Sequence, residues 1–274
     1  MNNTDGEITF ITAAYGKKYH RYVRGLARSF SKSNSSMLKI YTDSKNMNLP
    51  GCIIDNTISL GNLKEYSGKL PIRSAKPLIL LHAAKTHKYI CWIDADMLVF
   101  TDLKNKLDIN KINTISYGYG KNKRECGANL MIPQEIYSMG CLFSGSQQHF
   151  YEFENIWREL KYEIARKVNL FDQSVLNHLI SRKQGSVKYL NKEYPNMIWN
   201  FEKFRGARTK IGHPSPRNTI FCKGLNVRNS NLYHFKLPVG VLSWTSLSLE
   251  KHIKNNFRQI KNKKAKNYLI DLYK

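Results

Sequence analysis

No uninterrupted apolar run in this chain approaches the roughly 18–20 residues that cross a bilayer, which excludes a transmembrane helix. The first residues, Met1 to Glu7, are polar and acidic, so the basic-then-apolar pattern of a secretory signal is missing as well. Cysteine is scarce and odd in number: Cys52, Cys91, Cys126, Cys141 and Cys222, with no C-x-x-C spacing. That argues against a disulfide framework and a structural zinc site, and predicts free thiols in a reducing, cytoplasmic setting. Acid is the other shortage. Asp and Glu number 20 against 44 Lys and Arg, a formal charge of +24 and a sequence pI near 9.8. Such a surplus favours polyanions, meaning nucleic acid, an anionic membrane surface or phosphorylated ligands, although solvated surface accounts for it equally well. Apolar residues are not short, at 42% with 12% aromatic, and this excludes a disordered chain. Internal repeats and low-complexity linkers are absent, and the length suits one large α/β domain or two small ones.

The pattern of the first hundred residues reads strand, helix, strand, strand, helix, strand. Glu7 to Tyr15 is β-rich and stops at Gly16; Lys17 to Ser31 repeats Tyr19, Val23, Leu26 and Phe30 at helical spacing. Met37 to Thr42 and Cys52 to Asp55 read as strands, Ser74 to His87 as a helix with Pro77 in its first turn, and Tyr89 to Phe100 as the strongest strand. This alternation predicts a mostly parallel sheet covered by helices, the doubly wound, nucleotide-binding type of half. Further on, Asn113 to Tyr119 and Met139 to Ser144 read as strands, and Gln147 to Lys167 and Asp172 to Ile180 as helices. Residues 205–230 read as a long loop. Residues 1–248 form the expected globular domain, and 249–274 an amphipathic helix with Lys251, Lys254, Arg258, Lys261, Lys263, Lys264 and Lys266 beside an apolar side. Such a helix suits an anionic membrane; the plain alternative is a helix packed on the domain.

The segment that carries chemistry is Cys91-Trp92-Ile93-Asp94-Ala95-Asp96-Met97-Leu98-Val99. Two carboxylates stand at i and i+2 inside an apolar strand, and burying them unpaired costs several kcal/mol. Either both project from one face of the strand, or the strand bends at Ala95 and leaves them at the carboxyl edge of the sheet, where open α/β sheets bind ligands. Both placements let the oxygens converge on a hard divalent cation that also takes phosphate oxygens. The competing reading is a turn cap or a pair of ordinary salt bridges.

At this point the chain resembles glycosyltransferases of the GT-A fold, in particular family 8, the retaining transferases that include bacterial lipopolysaccharide galactosyl- and glucosyltransferases and the glycogenins. Three elements carry the resemblance in order: the Asp94-Ala95-Asp96 strand, Tyr137-Ser138-Met139-Gly140-Cys141-Leu142-Phe143 as the acceptor-side strand, and Phe171-Asp172-Gln173-Ser174-Val175-Leu176-Asn177 as the element lining the reaction centre. The likeness covers about residues 7–240. It implies an α/β fold with a single mostly parallel sheet and helices on both faces. It also implies manganese (or magnesium) held by Asp94 and Asp96 against a UDP-sugar, and transfer of a hexose with retention to a glycan or lipid-linked acceptor. Asp172 and Gln173 would then stand beside the transferred sugar; a helix N-cap is the simpler account of Asp172. Departures from the pattern fall at Ser138-Met139, at Ser174, and in the late element, of which only Tyr233 to Pro238 survives; there His234 is the candidate third metal ligand and Lys236 a phosphate contact.

Other candidates follow from position. Thr12, Ala13 and Ala14 are small residues after the first strand, where backbone can approach a base or ribose, and Tyr15 is placed to stack on uracil or to pack in the core. Asp43, past the second strand, is a candidate for the base or a ribose hydroxyl. Lys76 opens a helix whose dipole it opposes, which suggests a phosphate or ribose contact. His82, His87, His149, His178 and His213 lack metal-like spacing. Two other classes compete. A phosphotransferase with a nucleophilic Asp wants its motif near the first strand and followed by Gly-Thr, whereas Met97-Leu98-Val99 follows here. A nucleic-acid-binding protein is motivated by charge alone and lacks a recognisable module; a GT-A-fold descendant that only binds is the remaining alternative.

Overall fold

The computed structural model describes residues 8–99, 102–119, 136–167, 171–183, 185–190, 241–243 and 271–272. They form an α/β structure with nine strands and five α-helices among the described residues: β1 (Ile8–Ala14), α1 (Lys17–Ser33), β2 (Leu38–Thr42), β3 (Cys52–Asp55), α2 (Leu60–Ser67), α3 (Lys76–Ala84), β4 (Tyr89–Ile93), β5 (Met97–Val99), β6 (Ile112–Tyr119), β7 (Ile136–Ser146), α4 (Gln147–Lys167), α5 (Phe171–Arg182), β8 (Val187–Tyr189) and β9 (Val241–Ser243). Seven strands make one mixed, mostly parallel sheet in the order β3-β2-β1-β4-β7-β6-β8, and β5 pairs with β9. β1 runs parallel to β4, β2 to β3 and β6 to β8. β7 is the exception, antiparallel to both β4 and β6.

The chain divides into two compact units: Met1–Ile11, Asn56–Ile93 and Leu107–Lys192 form the first, and Thr12–Asp55, Asp94–Lys106 and Glu193–Lys274 the second. The core of the first is aromatic. Phe150, Phe153, Ile156 and Trp157 recur at helical spacing along α4 and are all buried. Phe143 of β7 stacks on Phe153 at 5.5 Å between centroids and leans on Phe150 at 5.8 Å. β4 is buried at every position, as an interior strand requires.

In the second unit α1 turns Tyr22, Val23, Leu26, Ala27 and Phe30 inward and packs on β5. Polar bonds fix that packing: the buried Ser29 hydroxyl accepts from the Val99 amide at 2.9 Å, Ser33 Oγ donates to Val99 O at 3.1 Å, and Asn34 Oδ1 accepts from the Leu103 amide at 2.8 Å. The strand that follows the two aspartates is therefore clamped to α1 by its backbone.

Two expectations are refined. The apolar stretch from Tyr89 is two strands, because the chain turns between Ile93 and Met97, with the Met97 amide bonded to Asp94 O at 3.1 Å. The helix foreseen from Ser74 begins as a 3-10 turn, Ile72–Ala75, and becomes α-helical at Lys76. Cys52, Cys91 and Cys141 are free thiols. No helix among the described residues is long and apolar enough to cross a membrane. The 205–230 loop, His234, Lys236 and all of the 249–274 helix except 271–272 lie outside the described residues.

Candidate functional site

Within the first unit, the start of α5 is locked onto β7 by side chains the sequence singled out. Lys76 Nζ, at the first position of α3, donates to Asp172 Oδ2 at 2.5 Å and to Gly140 O at 3.1 Å, and lies 4.7 Å from the centroid of the Trp92 ring. The pair is largely withdrawn from water, with side chains 11% and 23% exposed. An ammonium satisfied by a carboxylate, a carbonyl and an aromatic face offsets much of its own desolvation. Lys76 is thus engaged by protein groups, which gives its position opposing the α3 dipole a structural reason beside the phosphate or ribose contact expected from the sequence.

Asp172 sits in the first turn of α5, where a negative charge is favoured by the helix dipole. The helix starts at Phe171, so Asp172 is inside the helix rather than its cap. Gly140 is what lets α5 approach: a Cβ there would lie 2.6 Å from Asp172 Oδ2 and 3.5 Å from Gln173 Cα. One turn further on, the buried Asn177 side chain bonds to β7 as a neighbouring strand would. Its Oδ1 accepts from the Ser138 amide at 2.8 Å, and its Nδ2 donates to Ser138 O at 2.9 Å and to Gln173 O at 2.7 Å. Gly140 and Asn177 are residues whose roles the sequence reading missed, although both stood in the quoted motifs.

The second unit carries the two aspartates. Asp94 and Asp96 lie in the turn after β4, both partly exposed, with Ala95 buried between them. The bend at Ala95 is therefore observed, and the two carboxyls alternate with buried neighbours. Asp96 is close enough to Tyr22 to add to burial in pushing that phenol up to about 12. Two part-exposed aspartates in one turn are donors of the type a hard divalent cation takes, with water and phosphate oxygens completing its shell. Among the described residues no group of three or more His, Cys, Asp or Glu is disposed to hold a metal ion.

The second unit also assembles residues after β1. Gly16 takes φ 81°, a left-handed conformation suited to glycine, and opens α1 without a side-chain cap. Asp43 supplies the missing acceptor: its Oδ1 takes the Gly16 amide at 3.0 Å and His20 Nε2 at 2.7 Å. Burial pushes the Asp43 carboxyl up, but the Gly16 amide, His20 and its own backbone amide outweigh burial, and the net direction is down. Thr42 Oγ1 donates to Ala14 O at 2.7 Å and holds β2 to β1 there. Tyr15 is half-buried, its phenol pushed up by burial and then by Asp55 and Asp43. Thr12 and Ala14 are fully buried and Ala13 partly so. Thr12 through Tyr15, Asp43, Asp94 and Asp96 thus belong to one unit; Lys76, Asp172 and Gln173 belong to the other. His20 was not foreseen, since a lone histidine in a basic helix carries no signal.

No protein-family model matches the chain, and no curated protein matches it in sequence.

Proposed function

We propose that the chain is a metal-dependent glycosyltransferase of the GT-A type that moves a hexose from a UDP-sugar to a hydroxyl acceptor on a glycan or lipid-linked oligosaccharide. The observation that carries this reading is the Asp94-Ala95-Asp96 turn, which sets two part-exposed aspartates at the carboxyl end of a fully buried strand. In this reading Asp94 and Asp96 hold manganese or magnesium, with His234 as third ligand. The cation supplies neutralisation of the charge that develops on the departing diphosphate.

The chain's own residues do the rest. Tyr15 and the backbone of the small residues before it, Thr12 to Ala14, face the nucleoside, with Asp43 fixing the turn at Gly16. Asp172 orients a hydroxyl of the donor or acceptor, and Gln173 beside it contacts the sugar. Lys76 holds the Asp172 carboxylate through Oδ2, and among the described residues Oδ1 is bonded to no other group. Lys236 contacts a phosphate. Retention of configuration follows from the family resemblance.

Release of UDP from a panel of UDP-hexoses with manganese tests the proposal. Wild type is expected to hydrolyse at least one donor slowly, and Asp94→Asn/Asp96→Asn to lose that activity. Asp172→Asn is expected to lower kcat by about 100-fold with little change in KM. Absence of UDP release from every donor, or full activity in the double variant, contradicts the reading.

A further inference from the structure

Helix α1 holds a feature that sugar transfer does not use. Its 17 residues include six Lys and Arg and no acid, against 44 Lys and Arg in the 274-residue chain. At 100° per residue, Lys17, Arg21, Arg24, Arg28 and Lys32 fall within an arc of about 80°, in a row about 22 Å long. Lys17, Arg21, Arg24 and Lys32 are exposed and Arg28 half-buried, while the opposite side of the helix is core. The first turn carries no acid, so cations stand where the helix dipole opposes them. A face that only needed solvation would gain stability from acids there and from mixed i,i+4 pairs along the helix.

The row also meets Asp271 and Leu272. Arg28 Nη1 donates to Leu272 O at 3.3 Å and to Asp271 O at 3.4 Å, and the Leu272 side chain is buried.

We infer that the outer face of α1 is a docking surface for an anionic lipid bilayer. A straight row of cations on one side of a helix matches a planar array of phosphate headgroups, where each basic side chain near the surface contributes favourably and salt weakens the contact. Nucleic acid, the other polyanion that a row of Lys and Arg attracts, is set against the bilayer in the test below. This inference stands without the transferase reading.

The test is co-sedimentation of the full chain with vesicles of phosphatidylcholine alone, or with about 30% phosphatidylglycerol, at low and high salt. Wild type is expected to bind only the anionic vesicles and to dissociate in salt. Arg21→Glu/Arg24→Glu is expected to weaken binding on the order of 30-fold or more. Lys64→Glu/Lys69→Glu changes the charge equally at exposed positions of the other unit and is expected to bind within about threefold of wild type. Arg21→Gln/Arg24→Gln, with an unchanged far-ultraviolet spectrum, separates lost contact from lost folding. Equal losses in the two charge-reversed variants, no binding by wild type, or displacement of the vesicles by duplex DNA at equal phosphate concentration would each overturn the inference.

Discussion

Replacing Gly140 with alanine places a methyl carbon 2.6 Å from Asp172 Oδ2, well inside contact distance. The obstruction is a short side chain rather than backbone, so the carboxylate can turn aside, but only by releasing Lys76. Overpacking of this kind costs about 1–3 kcal/mol, and a weakened charge-assisted hydrogen bond falls in the same range. About 2 kcal/mol of lost stability is expected from urea unfolding, with an unchanged m value. A double-mutant cycle isolates the cause. In an Asp172→Ala background the oxygen is gone, and Gly140→Ala is expected to cost less than about 0.5 kcal/mol, a coupling near 1.5 kcal/mol. Equal costs in the two backgrounds would refute the reasoning, because the penalty would then come from β7 itself. UDP release measured on the same four proteins should fall in Gly140→Ala and remain low in the double variant, where room is restored but the carboxylate is not.

Two further outcomes follow from the bonds around the candidate residues. Asn177→Ala strips partners from the buried Ser138 amide and carbonyl and should cost about 2–4 kcal/mol in urea unfolding, whereas a loss under about 0.5 kcal/mol would mean that β7 does not depend on that side chain. Asp43→Asn tests the depressed carboxyl. A carboxyl with a lowered native pKa stabilises above its unfolded value of about 4, and the contribution fades as pH falls through the native value. The stability gap between wild type and Asp43→Asn should therefore be full near neutrality and shrink on acidification below about pH 4; a gap that is flat or widens would contradict the assigned partners.

Sequence pattern exposed the elements whose periodicity is set by burial on one side. Helix α1 and strands β1 to β4 follow from apolar spacing alone, as does α4 with its buried aromatic stripe. The antiparallel direction of β7 was not legible, because a strand's own sequence says nothing of its neighbours' direction. Helix α2 was missed because its capping box uses Ser59 and Asn62, where Glu or Gln is the usual signal. β8 is three residues, all partly exposed, too short to show alternation. At the candidate site, the aspartates stood out because charge inside an apolar run is costly. Gly140 and Asn177 did not, since close approach and bonding to a distant strand exist only once α5 lies against β7. Lys76 was noticed for opposing a helix dipole, and its partner 96 positions away could not be read from the chain.

The central claim is that Asp94 and Asp96 bind a nucleotide diphosphate through a divalent cation. Titration calorimetry of UDP with and without manganese, on wild type and on Asp94→Asn/Asp96→Asn, tests it most directly. The account predicts binding to wild type that requires manganese and vanishes in the double variant. Metal-independent binding, retention of binding by the variant, or no binding of UDP under either condition would contradict it.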